Sequence, residues 1–423
     1  MKLRLVSHRL PLLVLFLALV PIALASSTWY VDGVNGSNKN NCKSPQTACK
    51  TIRHAISLAS SGDSIMIAAA IYKENLTINF SLKLIGAGAS TTIVDGRGIN
   101  IVVYAATSNA HIELSNLTIR NGFAPLGGGI LNDAAVMNID NSNISGNVAE
   151  DPSSDSPGGG GIYNFGTMTI NNSSVSQNTT LGGYDGAGAG ILNGGTMTIN
   201  DSTLTGNVGN DSYGTYGGAI GNSGTLVINR STISRNRAPG GIGGGGIYNE
   251  AGTVVINNST ISLNTSYGGV GGGILNESSG VVSINNTTLS GNGAPNGGSG
   301  GGIYNSATVI LQNSIVANNQ QGSNCYGVMT SNGYNLSSDA SCNFDNTGDL
   351  NSTNPRLGRL QNNGGPTQTR ALLDESPAID AGNPAGCTDG QGHLLKTDQR
   401  GRPRPDHEDT GGCDMGAFER QRD

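Results

Sequence analysis

The chain has 423 residues, 66 of them glycine, with only 4% aromatic and 12% charged residues and a net charge of -6. No lysine lies between Lys83 and Lys396. A basic stripe that displaces counterions from nucleic acid is therefore missing, and no nucleic-acid partner is expected. Abundant Gly, Asn, Ser and Thr with little charge resembles a disordered composition, but apolar residues recur at fixed intervals, which argues for a packed fold.

Lys2, Arg4 and Arg9 precede a leucine-rich run from Leu10 to Leu19, and Ala23-Leu24-Ala25 supplies a small-residue cleavage site. Residues 1–25 are expected to be a secretory signal peptide, with the mature chain starting at Ser26. An uncleaved anchor helix fits less well, because Pro11 and Pro21 interrupt a run already shorter than the ~20 residues of a bilayer span. No second run of that length follows, so no integral membrane segment is expected in the mature chain.

Residues 26–75 form an N-terminal cap. Trp29-Tyr30-Val31 is a short strand signal. Thr51–Ser60 has apolar residues at Ile52, Ala55, Ile56 and Ala59, a helical spacing that suits the cap of a solenoid. Residues 76–350 form the solenoid, beginning with degenerate coils. Leu82–Ile85 and Thr92–Val94 read as strands, and Ile112–Arg120 alternates apolar and polar residues.

Residues 127–319 repeat regularly. Anchoring isoleucines at Ile130, Ile162, Ile191, Ile220, Ile247, Ile274 and Ile303 are separated by 32, 29, 29, 27, 27 and 29 residues. Each period carries three β-branched runs: Gly-Ile-Tyr/Leu-Asn, Thr-Met-Thr-Ile or its Val variant, and Ser-Thr-Ile-Ser. Three strands and three turns per period predict an all-β parallel β-helix of about ten coils. With coils ~4.8 Å apart, the rod is on the order of 50 Å long. Length varies after the third strand, at Val148–Pro157, Gly209–Tyr216 and Ala238–Gly243, which places variable loops on one edge. Residues 351–423 lose the repeat and read as a loop-rich C-terminal cap.

An asparagine stands two residues after each anchor: Asn132, Asn164, Asn193, Asn222, Asn249, Asn276 and Asn305. A structural ladder of stacked amides is expected there. A second row closes the third strand at Asn147, Asn178, Asn207, Asn236, Asn264, Asn292 and Asn318. Between anchor and asparagine lie Leu131, Tyr163, Leu192, Gly221, Tyr248, Leu275 and Tyr304. If isoleucine points inward, these point outward. Tyr163, Leu192, Tyr248, Leu275 and Tyr304 then make a stripe for sugar stacking or protein docking, or lie beneath neighbouring loops.

Six cysteines fall into near pairs, Cys42 with Cys49, Cys325 with Cys342, and Cys387 with Cys413. An export signal favours disulfides, and proximity favours these among about 15 possible pairings. A zinc site is the alternative, against which stands the absence of C-x-x-C spacing.

Gly217-Gly218-Ala219-Ile220, with Ile233-Ser234-Arg235-Asn236 in place of an F-x-x-N, resembles the repeats of polymorphic outer membrane proteins. Gly62-Asp63-Ser64-Ile65 with Tyr72-Lys73-Glu74-Asn75 is similar to the first coil of the right-handed parallel β-helix superfamily shared with pectate lyases. Asn363–Thr367, Ser376–Gly382, Asp398–Gly401 and Cys413–Glu419 resemble the bacterial choice-of-anchor Q domain. These likenesses imply a right-handed helix, and a C-terminal unit associated with attachment to a bacterial surface. About 70 residues after the repeats are too few for an eight-stranded membrane barrel, so self-translocation is not expected.

The superfamily includes polysaccharide lyases and glycosidases, yet fold does not imply function. The polygalacturonase marks (Asn-Thr-Asp, Asp-Asp, Gly-His-Gly, Arg-Ile-Lys) do not occur. Acids in the repeats look scattered, Asp140, Asp201, Glu250 and Glu277 among them, so no catalytic residue is assigned. No cofactor is expected. Calcium is a minor alternative, with oxygens from Asp345, Asp349 and Asn351, while Gly182-Gly183-Tyr184-Asp185 is out of register for a calcium-binding β-roll. In the C-terminal unit, Asp380, Asp398, Arg400, Asp414 and Glu419 read as a buried Asp–Arg arrangement or a ligand site. The leading expectation is a secreted or cell-surface, non-enzymatic rod that binds a polysaccharide or another cell surface. A polysaccharide lyase or hydrolase is the alternative, and a structural spacer the third.

Overall fold

Alternation makes the strands. In Thr167–Asn171, Met168 and Ile170 are buried while Thr167 faces solvent, so one side of each short strand packs into the rod. The computed structural model describes residues 26–151, 157–181, 186–210, 214–406 and 412–421. The expected signal peptide, Gly182–Asp185 and parts of two variable loops lie outside these.

Three long parallel sheets wind the rod. The first face has 10 strands, the second 12 and the third 11. One coil shows the plan: Ile162–Asn164 on the first face, Thr167–Asn171 on the second, Ser174–Ser176 on the third. Each strand pairs in register with the equivalent strand of the next coil, as Ile162 does with Ile191 and Ile170 with Ile199. This is the expected right-handed parallel β-helix of about ten coils. The anchoring isoleucines are fully buried, each contributing roughly 1.5–3 kcal/mol of hydrophobic stabilisation.

Left-handed residues turn the corners. Between second and third strands they are Asn116, Asn141, Asn172, Asp201, Arg230, Asn258, Asn286 and Asn313, with φ between 46 and 56°. Asparagine tolerates this region. Asn116 splits the alternating run Ile112–Arg120 into two strands, His111–Ser115 and Thr118–Arg120. A fourth sheet of six very short strands, from Phe123–Ala124 to Thr265–Ser266, follows the third face and was not expected. The variable loops leave from this sheet.

Helix α1, Ile52–Leu58, closes the N-terminal end with Ile52, Ala55 and Ile56 buried. The Thr51 hydroxyl accepts from His54 N, and Glu74 accepts from Ile52 N and Arg53 N at 2.9 and 2.8 Å, satisfying donors that a helix start leaves orphaned. Disulfides join Cys42–Cys49, Cys325–Cys342 and Cys387–Cys413.

Two amide ladders run inside the rod. From Asn132 to Asn305, each Nδ2 donates to the next Oδ1 at 2.8–2.9 Å. From Asn147 the second runs through Asn178, Asn207, Asn236, Asn264 and Asn292 at 2.9–3.0 Å. It then passes to Asn319 and Asn324, not Asn318. Asn318 instead takes the left-handed corner, φ 55°, that precedes each member of the row.

The C-terminal unit holds one antiparallel hairpin, Leu357–Gln361 with Thr369–Leu372, and is otherwise loops. It folds back along the third face as well as covering the last coils. There the outward residues turn apolar: Ile315 and Ala317 are buried with Leu336, Leu372, Ala378, Met415 and Phe418.

Candidate functional site

The first-face strand is only three residues long, so its centre is the one side chain it turns outward. Register stacks these centres into a row: Tyr104, Leu131, Tyr163, Leu192, Gly221, Tyr248, Leu275, Tyr304 and Tyr326. Tyr104 and Tyr326 extend the stripe beyond the regular repeats, where the sequence pattern did not reach. Tyr304 stacks on Tyr326 with centroids 4.7 Å apart and planes 9° apart. Tyr163 stacks on Phe165 at 5.0 Å, and Tyr248 meets Tyr216 at 4.6 Å. Phe165 and Tyr326 remain about half exposed, at 52% and 50%.

One leucine of the row differs from the outward stripe expected. Leu275 is fully buried. The bridged loops through Gly243 and Val270 of successive coils pass over it, so close that a Cβ on Gly243 would stand 2.9 Å from Leu275 Cδ2. Leu192 is half-buried under Gly158 in the same manner. The row is thus a half-exposed stripe of Leu131, Tyr163, Leu192, Tyr248 and Tyr304 interrupted by the covered Leu275. Burial pushes the Tyr163 phenol up, and Asp133 adds to the shift.

Two carboxylates border this row. Glu250 and Glu277 each follow a ladder asparagine, and Asn249 pairs in register with Asn276, so they stand on adjacent coils. Their amides are pinned to Asn222 O and Asn249 O at 3.1 and 3.0 Å. Burial raises the Glu277 pKa, and repulsion from Glu250 raises it further. The sequence analysis counted both among scattered acids. The signal was present: each sits one residue past the ladder, 27 residues apart.

Other acids are committed elsewhere. Asp140 accepts from Asn171 Nδ2 at 2.7 Å, and Asp201 forms a bidentate pair with Arg230 at 2.8 and 2.6 Å. Asp349 accepts from Ser331 Oγ, Asn335 N and Asn346 N, and Asn351 clasps the Phe344 backbone. Those oxygens serve the loop. Among the described residues, Cys42, Cys49 and His54 form the one cluster of metal-binding type, and its sulfurs are bonded to each other.

In the C-terminal unit, Arg400 pairs with Asp398 at 2.8 Å, and Arg404 with Glu419 at 2.7 Å with both side chains fully buried. Arg404 also donates to Asn258 Oδ1 and Gly416 O. Asp414 accepts from Asp380 N and Arg420 N. Burial pushes Asp414 up to about 6 and Glu419 up to about 7, against the pull of Arg404. These groups tie loops to the rod.

Parallel sheets wound on a period of about 30 residues define the class, the right-handed parallel β-helix. No protein-family model matches the chain, and no curated protein matches it. Among solved structures it is similar to pectate lyase Pel9A, at 15% identity, covering 94% of this chain and 98% of that one, with a TM-score of 0.53. A second similar structure is XylC in complex with xylose, at 8% identity, covering 93% and 98%, with a TM-score of 0.47. The likeness to Pel9A is one of fold. Among the described residues, no helix is long and apolar enough to cross a membrane.

Proposed function

We propose that this chain is a secreted or cell-surface bacterial rod that binds polysaccharide along its first face, in an adhesive role. The carrying observation is the in-register row of half-exposed tyrosines, Tyr163, Tyr248 and Tyr304, each paired with another ring. Aromatic rings offer a large apolar face with a polar tip, which suits a sugar ring. The leader-like residues 1–25 and three disulfides support export to an oxidising compartment. The resemblance of residues 363–419 to choice-of-anchor Q domains supports attachment to a surface, and that of the repeats to polymorphic outer membrane proteins supports adhesion.

A second reading, cleavage of the bound chain, is favoured by Glu250 and Glu277. Adjacent coils lie ~4.8 Å apart, near the ~5–5.5 Å carboxyl spacing of retaining glycosidases, and the two groups have unequal environments.

Residues 26–423, incubated with a polysaccharide panel, separate the readings. Co-sedimentation, reducing ends and unsaturated-uronate absorbance are followed together. The proposal expects retention without product, lost when Tyr163, Tyr248 and Tyr304 become alanine. Product that disappears in Glu277→Gln establishes the second reading. Retention unchanged by the tyrosine substitutions removes the row from the account.

A further inference from the structure

The molecule contains its own record of what the third face binds. In later coils the outward hydroxyls are occupied by the C-terminal unit. Thr232 Oγ1 donates to Gln368 O at 2.6 Å, and Thr260 Oγ1 to Gln399 Oε1 at 2.6 Å. Corner amides do the same: Asn258 Nδ2 donates to Thr397 O and Asn286 Nδ2 to Thr388 O, both at 2.7 Å. Register carries these positions into earlier coils. Thr232 pairs with Thr203, and Thr203 with Ser174. Asn141 and Asn172 hold the corner with the same left-handed φ, 48 and 46°.

On those earlier coils nothing described covers the array. Thr232 and Thr260 are fully buried, whereas Ser174 and Thr203 are half-buried and Asn141 and Asn172 are exposed. A polar cleft of about 240 Å³ opens where the C-terminal unit stops, at Pro366, lined by Asn172, Ser174, Asp201 and Thr203. This array is continuous with an interface that already works through hydroxyls and amides.

We infer that the uncovered third face, from Asn141 to Thr203, is a second binding surface that takes a neutral, hydroxyl-rich polysaccharide running along the rod. Hydroxyls and primary amides both donate and accept, matching sugar hydroxyls and ring oxygens. Charge selects the neutral class. Residues 127–319 carry ten carboxylates against three arginines, a net of -7, which repels an acidic polymer. The inference rests on the reading that the rod binds polysaccharide, and it adds a site and a substrate class.

The test is affinity electrophoresis of residues 26–423 through gels containing galactomannan, mixed-linkage β-glucan or polygalacturonate. Three proteins are compared: the unsubstituted chain, a flank variant (Asn141→Gly, Asn172→Gly, Ser174→Ala) and a row variant (Tyr163→Ala, Tyr248→Ala, Tyr304→Ala). Glycine keeps the left-handed corner while removing the amide, and circular dichroism checks that the fold is kept. A neutral polymer is expected to retard the unsubstituted chain, with affinity lowered at least about tenfold in the flank variant, the scale of two or three lost hydrogen bonds. A flank variant retarded like the unsubstituted chain overturns the inference and leaves the binding reading intact. Retardation by polygalacturonate alone overturns the neutral class. If no polymer retards the unsubstituted chain, both the inference and the reading fail. A synthetic peptide of residues 363–370 is added as competitor. Binding of that peptide without any neutral polymer identifies the surface as a peptide site and rejects the proposal.

Discussion

The rod from Asn132 to Asn324 is bonded internally by neutral amides, each handing a hydrogen bond to the same residue one coil on. The C-terminal unit relies on single, unrepeated contacts, with Arg404–Glu419 fully buried and Arg400–Asp398 nearly so. Within the rod each ladder bond but the terminal ones has a copy on either side, so losing one leaves the pattern. In the C-terminal unit one guanidinium holds three partners: Glu419, Gly416 O and Asn258 on the rod. Repetition spreads load, whereas a buried charge concentrates it.

The largest effect should come from the concentrated contact. Arg404→Met strands a buried Glu419 and frees Asn258, at a cost of about 3–5 kcal/mol. Limited proteolysis should then release the C-terminal unit while the rod keeps its β-sheet circular dichroism. Loss of the whole fold at once would mean the two regions are one cooperative body.

Inside the rod, Asn222→Leu removes the acceptor for Asn193 Nδ2 and the donor for Asn249 Oδ1. Asn193 Nδ2 keeps Gly195 O and Thr225 O, so one orphaned buried acceptor, Asn249 Oδ1, predicts a loss of about 1–3 kcal/mol. Asn305→Leu, at the ladder's end, leaves Asn276 Nδ2 with Gly280 O and Thr308 O but strips partners from Ala307 N and Val328 O, and should cost about as much. Thermal melts of the two variants side by side check this. A much smaller loss for Asn305→Leu would show that its contacts to Ala307 and Val328 carry little.

How much of this was legible follows from the same division. Three strands per coil and the Asn132–Asn305 row were visible because each recurs at a fixed spacing with fixed residue types. The disulfide pairing agreed with proximity. The fourth sheet escaped because pieces such as Phe123–Ala124 are too short to alternate. The tyrosine row was visible, but the burial of Leu275 was not, since it depends on the segment at Gly243 passing over it. Glu250 and Glu277 looked scattered until register placed them on neighbouring coils. The path of the C-terminal unit depends on contacts more than 100 residues apart, such as Asn258 with Arg404. One local sign pointed to it: outward Thr and Ser of the third strand give way to Ile315 and Ala317.

The last predicted effect concerns pH and is again confined to the C-terminal unit. Burial raises Asp414 from 3.8 to about 6 and Glu419 from 4.5 to about 7. Between those values the folded chain holds protons that the unfolded chain releases, so stability falls as pH rises. The contribution is fully present near pH 4, declines through pH 6 and 7, and is flat above. At about 1.4 kcal/mol per unit, either group contributes at most ~3 kcal/mol, and their mutual repulsion makes the sum less than additive. Glu419 Oε1 is buried without a hydrogen-bond partner, which suits a neutral carboxyl better than a charged one. Glu419→Gln keeps a neutral group there at every pH and should flatten the decline. Release of the C-terminal unit by protease at pH 8, compared with pH 5, reads the effect, because the ladders hold no titrating group from Asn132 to Asn324. A slope of equal size in both regions would place the titration elsewhere and break the contrast between repeated amides and single buried charges.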